Sequence, residues 1–179
     1  MTKKLITIKE FINKSIGEWK ALRSTHTLAF QEYENTNSRI LISYIKIDSF
    51  EVDNLLKKFD LNFKAEFAIS INWRAESDWS DEEKINSDKN ILIFSPGSSK
   101  DGLILRNKGY AEQINSYSTY KIDDNESLNL KTAYDNTICE ETVSFLTDNV
   151  RTRYSIIKSK SNGSIIQTSH STEIRKIFN

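Results

Sequence analysis

The sequence predicts a mainly-β protein, an antiparallel barrel of about ten strands with an N-terminal helix and a short helix after strand two. Three observations carry this. The apolar period changes from 3.6 to 2 after Gly17 and stays near 2 almost to residue 176. Turn-forming clusters punctuate the alternation: Ser95-Pro96-Gly97-Ser98, Asp123-Asp124-Asn125, Asp135-Asn136, Asp148-Asn149 and Asn162-Gly163. Many sequential strands on short links would leave two adhesive sheet edges, and closure into a barrel removes them.

The helix is expected over about 7–16. Thr7 and Glu10 have capping-box spacing, Ile8, Phe11, Ile12, Ile16 and Trp19 recur at helical intervals, and Gly17 ends the run. The barrel then runs from about 18 to 176. Strand one covers 18–30, with Trp19, Ala21, Arg23 and Thr25 on one face and Lys20, Leu22, Ser24, His26 and Leu28 on the other. Strand two covers 39–47. A short helix follows, with Asp48 and Glu51 as a second capping pattern and Val52, Leu55, Leu56 and Phe59 as its apolar side. Ala65, Phe67, Ile69, Ile71 and Trp73 share one face of strand three, and residues 77–90 read as a polar loop. Further strands are expected near 91–95, 103–106, 116–122, 127–134, 138–146, 149–158 and 164–175.

Composition narrows the class. A length of 179 residues suits one domain over 1–179. Lys plus Arg and Asp plus Glu each number 25, so no global charge draws the chain to nucleic acid or to anionic membranes. Cys139 is the sole cysteine, which excludes an internal disulfide and argues against a cysteine-based metal site. No apolar run reaches the ~20 residues of a membrane span, and MTKKLITIKE has no secretory h-region. A soluble cytoplasmic protein is expected, with no metal. Abundant Asn, Ile, Lys and Ser beside 5 Gly and 1 Pro reads as the codon bias of an AT-rich genome.

Gly17-Glu18-Trp19 after a helix is the entrance pattern of lipocalin-like barrels (calycin or fatty-acid-binding-protein-like). Trp19 is expected to plug one barrel end, with Arg175 stacked across it by a cation–π contact of ~0.5–2 kcal/mol. The last strands depart from an apolar inner wall. Arg151, Arg153, Ser155 and Ile157 share one face; Ile165, Gln167, Ser169, Ser171 and Glu173 share another; Glu141 is in phase with Val143 and Phe145. Residues 151–176 hold Arg151, Arg153, Lys158, Lys160, Arg175 and Lys176 against the single acid Glu173, so this stretch favours an anionic partner. Arginine's fork matches carboxylates, and a barrel of this size holds one small ligand. Fatty acids and open-chain tetrapyrroles (bilins) both meet these requirements.

Several blocks together resemble the CpcS/CpeS family of S-type phycobiliprotein (bilin) lyases. They are Ser15-Ile16-Gly17-Glu18-Trp19-Lys20 with Arg23-Ser24-Thr25-His26 and Leu28-Ala29-Phe30, then Leu105-Arg106 and Gly109-Tyr110-Ala111-Glu112. Glu140-Glu141, Asn149-Val150-Arg151-Thr152-Arg153 and Ser171-Thr172-Glu173-Ile174-Arg175 complete them. The resemblance implies a lipocalin-like barrel that attaches a phycobilin, by a thioether, to a cysteine of an apo-phycobiliprotein subunit (phycoerythrin, phycocyanin or allophycocyanin). It implies Glu141, Glu173 and His26 as catalytic or pocket residues, and Arg151 and Arg153 on the propionates. Trp73 and Trp79 would pack on the rings, with Ser155 and Phe30 further contacts. A bilin reductase as donor and a homodimer are implied partners, and the phycobilin is substrate rather than cofactor. The codon bias, compatible with phycoerythrin-using marine picocyanobacteria, favours phycoerythrobilin over phycocyanobilin. The competing reading is a carrier that binds a bilin, or another carboxylate ligand, and makes no bond.

Overall fold

Helix α1 (Ile8–Ser15) starts at the capping box: the Glu10 amide donates to Thr7 Oγ1 at 3.2 Å and the Thr7 amide donates to Glu10 Oε2 at 2.8 Å. Its apolar stripe, Ile8, Phe11 and Ile12, is buried. Gly17 follows at φ +127°, a value that favours glycine, and a Cβ there would lie 2.8 Å from Arg175 Nη1. The computed structural model describes residues 6–59, 63–76, 87–109, 111–112 and 114–177.

The strands are β1 (Gly17–Thr27), β2 (Glu32–Ile45), β3 (Phe67–Glu76), β4 (Ser87–Pro96), β5 (Asp101–Arg106), β6 (Ser116–Ile122), β7 (Leu128–Ala133), β8 (Thr137–Thr147), β9 (Val150–Ser159) and β10 (Ile165–Arg175), with α2 (Phe50–Leu56) between β2 and β3. Each pairs antiparallel with its neighbour in sequence, and β1 closes on β10 with Trp19 opposite Arg175. The fold is the closed ten-stranded barrel with two short helices that the alternation predicts.

The barrel interior has two parts. At the α1 end, Phe11 and Ile12 pack with Trp19, Phe67, Phe94 and Ile122 in one apolar cluster. The rest of the lumen is a cavity of about 430 Å³ that reaches down to Phe11, Ile12 and Ser15 of α1. Outside the wall, Val52 and Leu55 of α2 are buried against Ala68, Ile91, Ile93 and Leu105. Each such burial stabilises by about 1.5–3 kcal/mol. That anchors a helix far too short to persist alone.

Four boundaries differ from expectation. Strand β1 ends at Thr27 rather than at residue 30. Strand β2 begins at Glu32, seven residues before the alternation becomes visible, because Glu32–Ser38 contains little apolar material to alternate. Backbone pairing with β1 holds this stretch regardless, from Thr27 opposite Glu32 onward. Strand β4 begins at Ser87, inside the expected loop. The N-cap of α2 is Ser49 rather than Asp48, and no side chain caps it.

Candidate functional site

Barrel parity decides what reaches the lumen. Alternate residues of β1, β8, β9 and β10 face inward, and the pairings Ala21–Glu173, Glu173–Arg151, Ser171–Arg153, Val143–Arg153 and Glu141–Ser155 set four charged side chains, Glu141, Glu173, Arg151 and Arg153, close together. Arg106, the last residue of β5, reaches the same group from across the barrel.

The result is a continuous ionic network. Arg151 donates through Nε to Glu173 Oε2 at 2.6 Å, with Nη2 at 2.5 Å from the same oxygen. Arg153 Nε lies 3.3 Å from Glu173 Oε1 and its Nη1 lies 3.4 Å from Glu141 Oε1, so Arg153 bridges the two carboxylates. Arg106 Nη2 stands 3.0 Å from Glu141 Oε2. Glu141, Glu173, Arg106 and Arg151 are buried, whereas the Arg153 side chain keeps 25% of its surface exposed. Arg153 is therefore the member of the network open to the lumen.

Burial pushes the Glu141 carboxyl upward, but Arg106 and Arg153 outweigh it and hold the group below the usual carboxylate range. Glu173 shows the same balance, with Arg153 and Arg151 prevailing over burial. Both are carboxylates at neutral pH in this state. Three guanidinium groups face two carboxylates, and Arg23 also lines the cavity. This end of the lumen thus carries excess positive charge and suits an anionic group.

Below the network the barrel is plugged. The Trp19 indole lies between the Arg151 and Arg175 guanidinium groups, each 4.3 Å from its ring centre, and donates to the Ser15 carbonyl at 2.9 Å. Arg175 also donates to the carbonyls of Ile16, at 2.6 Å, and Lys14. This binds the C-terminal end of α1 to the wall, and it is the plug arrangement expected of Trp19 and Arg175.

Of the expected pocket residues, Glu141, Glu173, Arg151, Arg153 and Trp73 line the cavity. Arg151 borders it at the floor, but its guanidinium is occupied by Glu173 and Trp19 rather than presented to a ligand. Ser155 is buried and shares a 2.7 Å hydroxyl bond with Ser169, which does line the lumen.

Two expectations are corrected. His26 sits in phase with Leu22 on the outer face of β1, exposed and 4.8 Å ring-to-ring from Tyr33. Phe30 lies in the turn after β1 and is 74% exposed. Neither lines the cavity. Trp79 lies outside the described residues. Cys139 is fully buried, and burial pushes its thiol up to about 12, so it is not a nucleophile at neutral pH.

Sequence reasoning missed Arg23, Arg106 and Asn90 as cavity residues. Arg23 could have been found from its phase with Trp19. Arg106 could not: it ends Leu103-Ile104-Leu105, which is apolar on both faces because α2 covers the outer one. Among the described residues no cluster of three or more His, Cys, Asp or Glu forms a metal site, and no helix is long and apolar enough to cross a membrane.

Comparison with known proteins agrees with this architecture. The CpeS-like protein family matches residues 7–176. Chromophore lyase CpcS/CpeS 3 of Trichodesmium erythraeum is 34% identical, over 94% of this chain and 98% of its own. The Microchaete diplosiphon protein named "Putative phycoerythrobilin lyase CpeS" is 30% identical over 84% of this chain and 68% of its own. The S-type phycobiliprotein lyase CPES of Guillardia theta superposes with a TM-score of 0.80 at 29% identity, covering 97% of this chain and 95% of that one. With its barrel, its charged lumen and this match over nearly its whole length, the chain belongs to the CpeS-like protein family.

Proposed function

We propose that this chromophore lyase takes up a phycobilin, phycoerythrobilin ahead of phycocyanobilin, and guides its thioether attachment to a cysteine of a phycobiliprotein subunit. The observation that carries the reading is the network in which lumen-facing Arg153 bridges two buried carboxylates beneath a cavity large enough for a small ligand. The preference for phycoerythrobilin is supported by the Asn-, Ile-, Lys- and Ser-rich composition, read as that of an AT-rich genome, and by the name of the Microchaete relative.

In this reading Arg153 takes a propionate, while Arg151 keeps Glu173 in place. Trp73 packs against a ring, and Trp79 is assigned the same role by resemblance alone. When a propionate engages Arg153, Glu141 and Glu173 lose part of their partner and turn toward the pyrrole nitrogens. Their negative charge then favours the protonated, cationic tetrapyrrole, which is the better electrophile. They act there as anions beside the ring nitrogens rather than as proton donors.

The net step adds S–H across the ethylidene double bond of ring A. A carbon–sulfur bond forms, the π pair moves to the ring carbon, and that carbon takes the proton. No oxidant is needed. The nucleophile is the client's thiol, and clamping the propionate fixes which face of the double bond it meets.

The test mixes the purified protein with phycoerythrobilin, then with an apo-phycobiliprotein subunit, following absorbance, fluorescence and zinc-stained denaturing gels. A red-shifted complex, covalent transfer to the subunit, and about tenfold or greater weakening with Arg153→Ala support the lyase. A spectral shift without covalent transfer reduces it to a carrier. No shift with either bilin refutes the ligand class.

A further inference from the structure

The wall opposite β9 and β10 contains polar groups that the reaction above does not use. On β5, Arg106 is 4% exposed and lines the cavity; its Nη2 meets Glu141, but its Nε is buried with no hydrogen-bond partner. On β4, Asn90 lines the same cavity. Its Nδ2 donates to the Lys108 carbonyl at 3.0 Å, which fixes the amide orientation and leaves Oδ1 as the acceptor. Asn90 Oδ1 is likewise buried and without a partner.

These two groups are neighbours. Arg106 pairs with Leu92 across the β4–β5 ladder, and Asn90 is two residues from Leu92 on the same inward face. Such diagonal positions lie about 7–8 Å apart, within reach of long side chains. The wall therefore holds one unpaired donor, Arg106 Nε–H, near one unpaired acceptor, Asn90 Oδ1, both covered in this structure, so a ligand reaches them by displacing the side chains that cover them.

Unpaired buried polar groups are costly, and a donor beside an acceptor is matched by a group carrying both in the reverse sense. A cyclic lactam is such a group, because its carbonyl accepts and its N–H donates from the same edge. The two terminal rings of a bilin are lactams, whereas a fatty acid has no N–H to offer.

We propose that Arg106 and Asn90 form a lactam subsite, with Arg106 Nε donating to the carbonyl and Asn90 Oδ1 accepting the N–H of one terminal ring of the bilin. The subsite rests on the bilin reading above. Together with Arg153, which meets the other oxygen of Glu141, it gives the ligand two kinds of grip, an anion grip at a propionate and a neutral grip at a lactam. It also ties ligand binding to the reaction centre, because Arg106 holds both the lactam and Glu141.

The experiment uses the full chain and two probes: phycoerythrobilin and its bis-lactim ether, in which both lactam oxygens are methylated and the N–H groups are gone. Affinities are read by absorbance titration for wild type, Asn90→Leu and Arg106→Lys. Each substitution is expected to weaken phycoerythrobilin binding about tenfold, with Asn90→Leu leaving the lactim ether within about twofold of its wild-type affinity. Variants that bind phycoerythrobilin as wild type does overturn the subsite alone. So does a loss by Asn90→Leu that falls equally on both probes, since it reports general cavity damage. Failure of the wild type to bind phycoerythrobilin at all overturns the underlying reading instead.

Discussion

Removing Glu173 should reveal how strongly the lumen depends on charge compensation. The carboxylate is 1% exposed and its Oε2 faces Arg151, itself 1% exposed and wedged against Trp19. Glu173→Leu leaves the Arg151 charge buried with its closest counter-charge gone. Breaking a buried pair from one side costs about 3–5 kcal/mol. At roughly 2–4 °C per kcal/mol for a chain of this size, the melting temperature should fall by about 6–20 °C. Replacing both partners, Arg151→Met with Glu173→Leu, should recover most of this, because the desolvated charges then disappear together. Circular dichroism melts of the wild type, both single variants and the double variant close the cycle. A Glu173→Leu loss under about 1 kcal/mol, or a double variant as unstable as the two singles added, would refute a tightly compensated pair. The pH dependence provides a second check. Glu173 and Glu141 are held below their unfolded pKa of about 4.3, so their stabilisation is present above that pH and is lost as pH falls through the lower folded values. Glu173→Leu should accordingly flatten the acid side of the stability profile.

Two further outcomes follow from burial and parity. Cys139 should resist a thiol reagent at neutral pH in the native state and react fully in denaturant, since it is buried with its thiol pushed up to about 12; native labelling faster than global unfolding would contradict its placement. His26→Ala and Phe30→Ala should leave bilin affinity within about twofold of wild type, because both side chains point away from the lumen. A tenfold loss in a titration would show that the ligand extends beyond the cavity described.

Much of this architecture is legible one strand at a time. The capping box at Thr7, the alternation through Phe67, Ile69, Ile71 and Trp73, and the shared phase of Arg151, Arg153 and Ser155 depend only on neighbours along the chain. The same parity was available for His26, which shares its face with Leu22, yet resemblance placed it near the pocket; its exposure on β1 corrects that. The polar half of β2 was not legible, because a strand without apolar residues shows no period even when β1 holds its backbone.

The sequence alone determined the fold class and the inward arginines and carboxylates of the last strands, since each follows from local periodicity and a strand's two-sided geometry, whereas the pairing of Trp19 with Arg175 was expected from the entrance pattern of lipocalin-like barrels. Only the tertiary structure decided how those charges pair. Ring closure brings Arg106 of β5 to Glu141 of β8, sets Arg153 between two carboxylates, and places the Arg151 guanidinium between Glu173 and Trp19. Such pairings depend on distances across the lumen, between residues far apart in the chain, and barrel closure sets them where local pattern cannot.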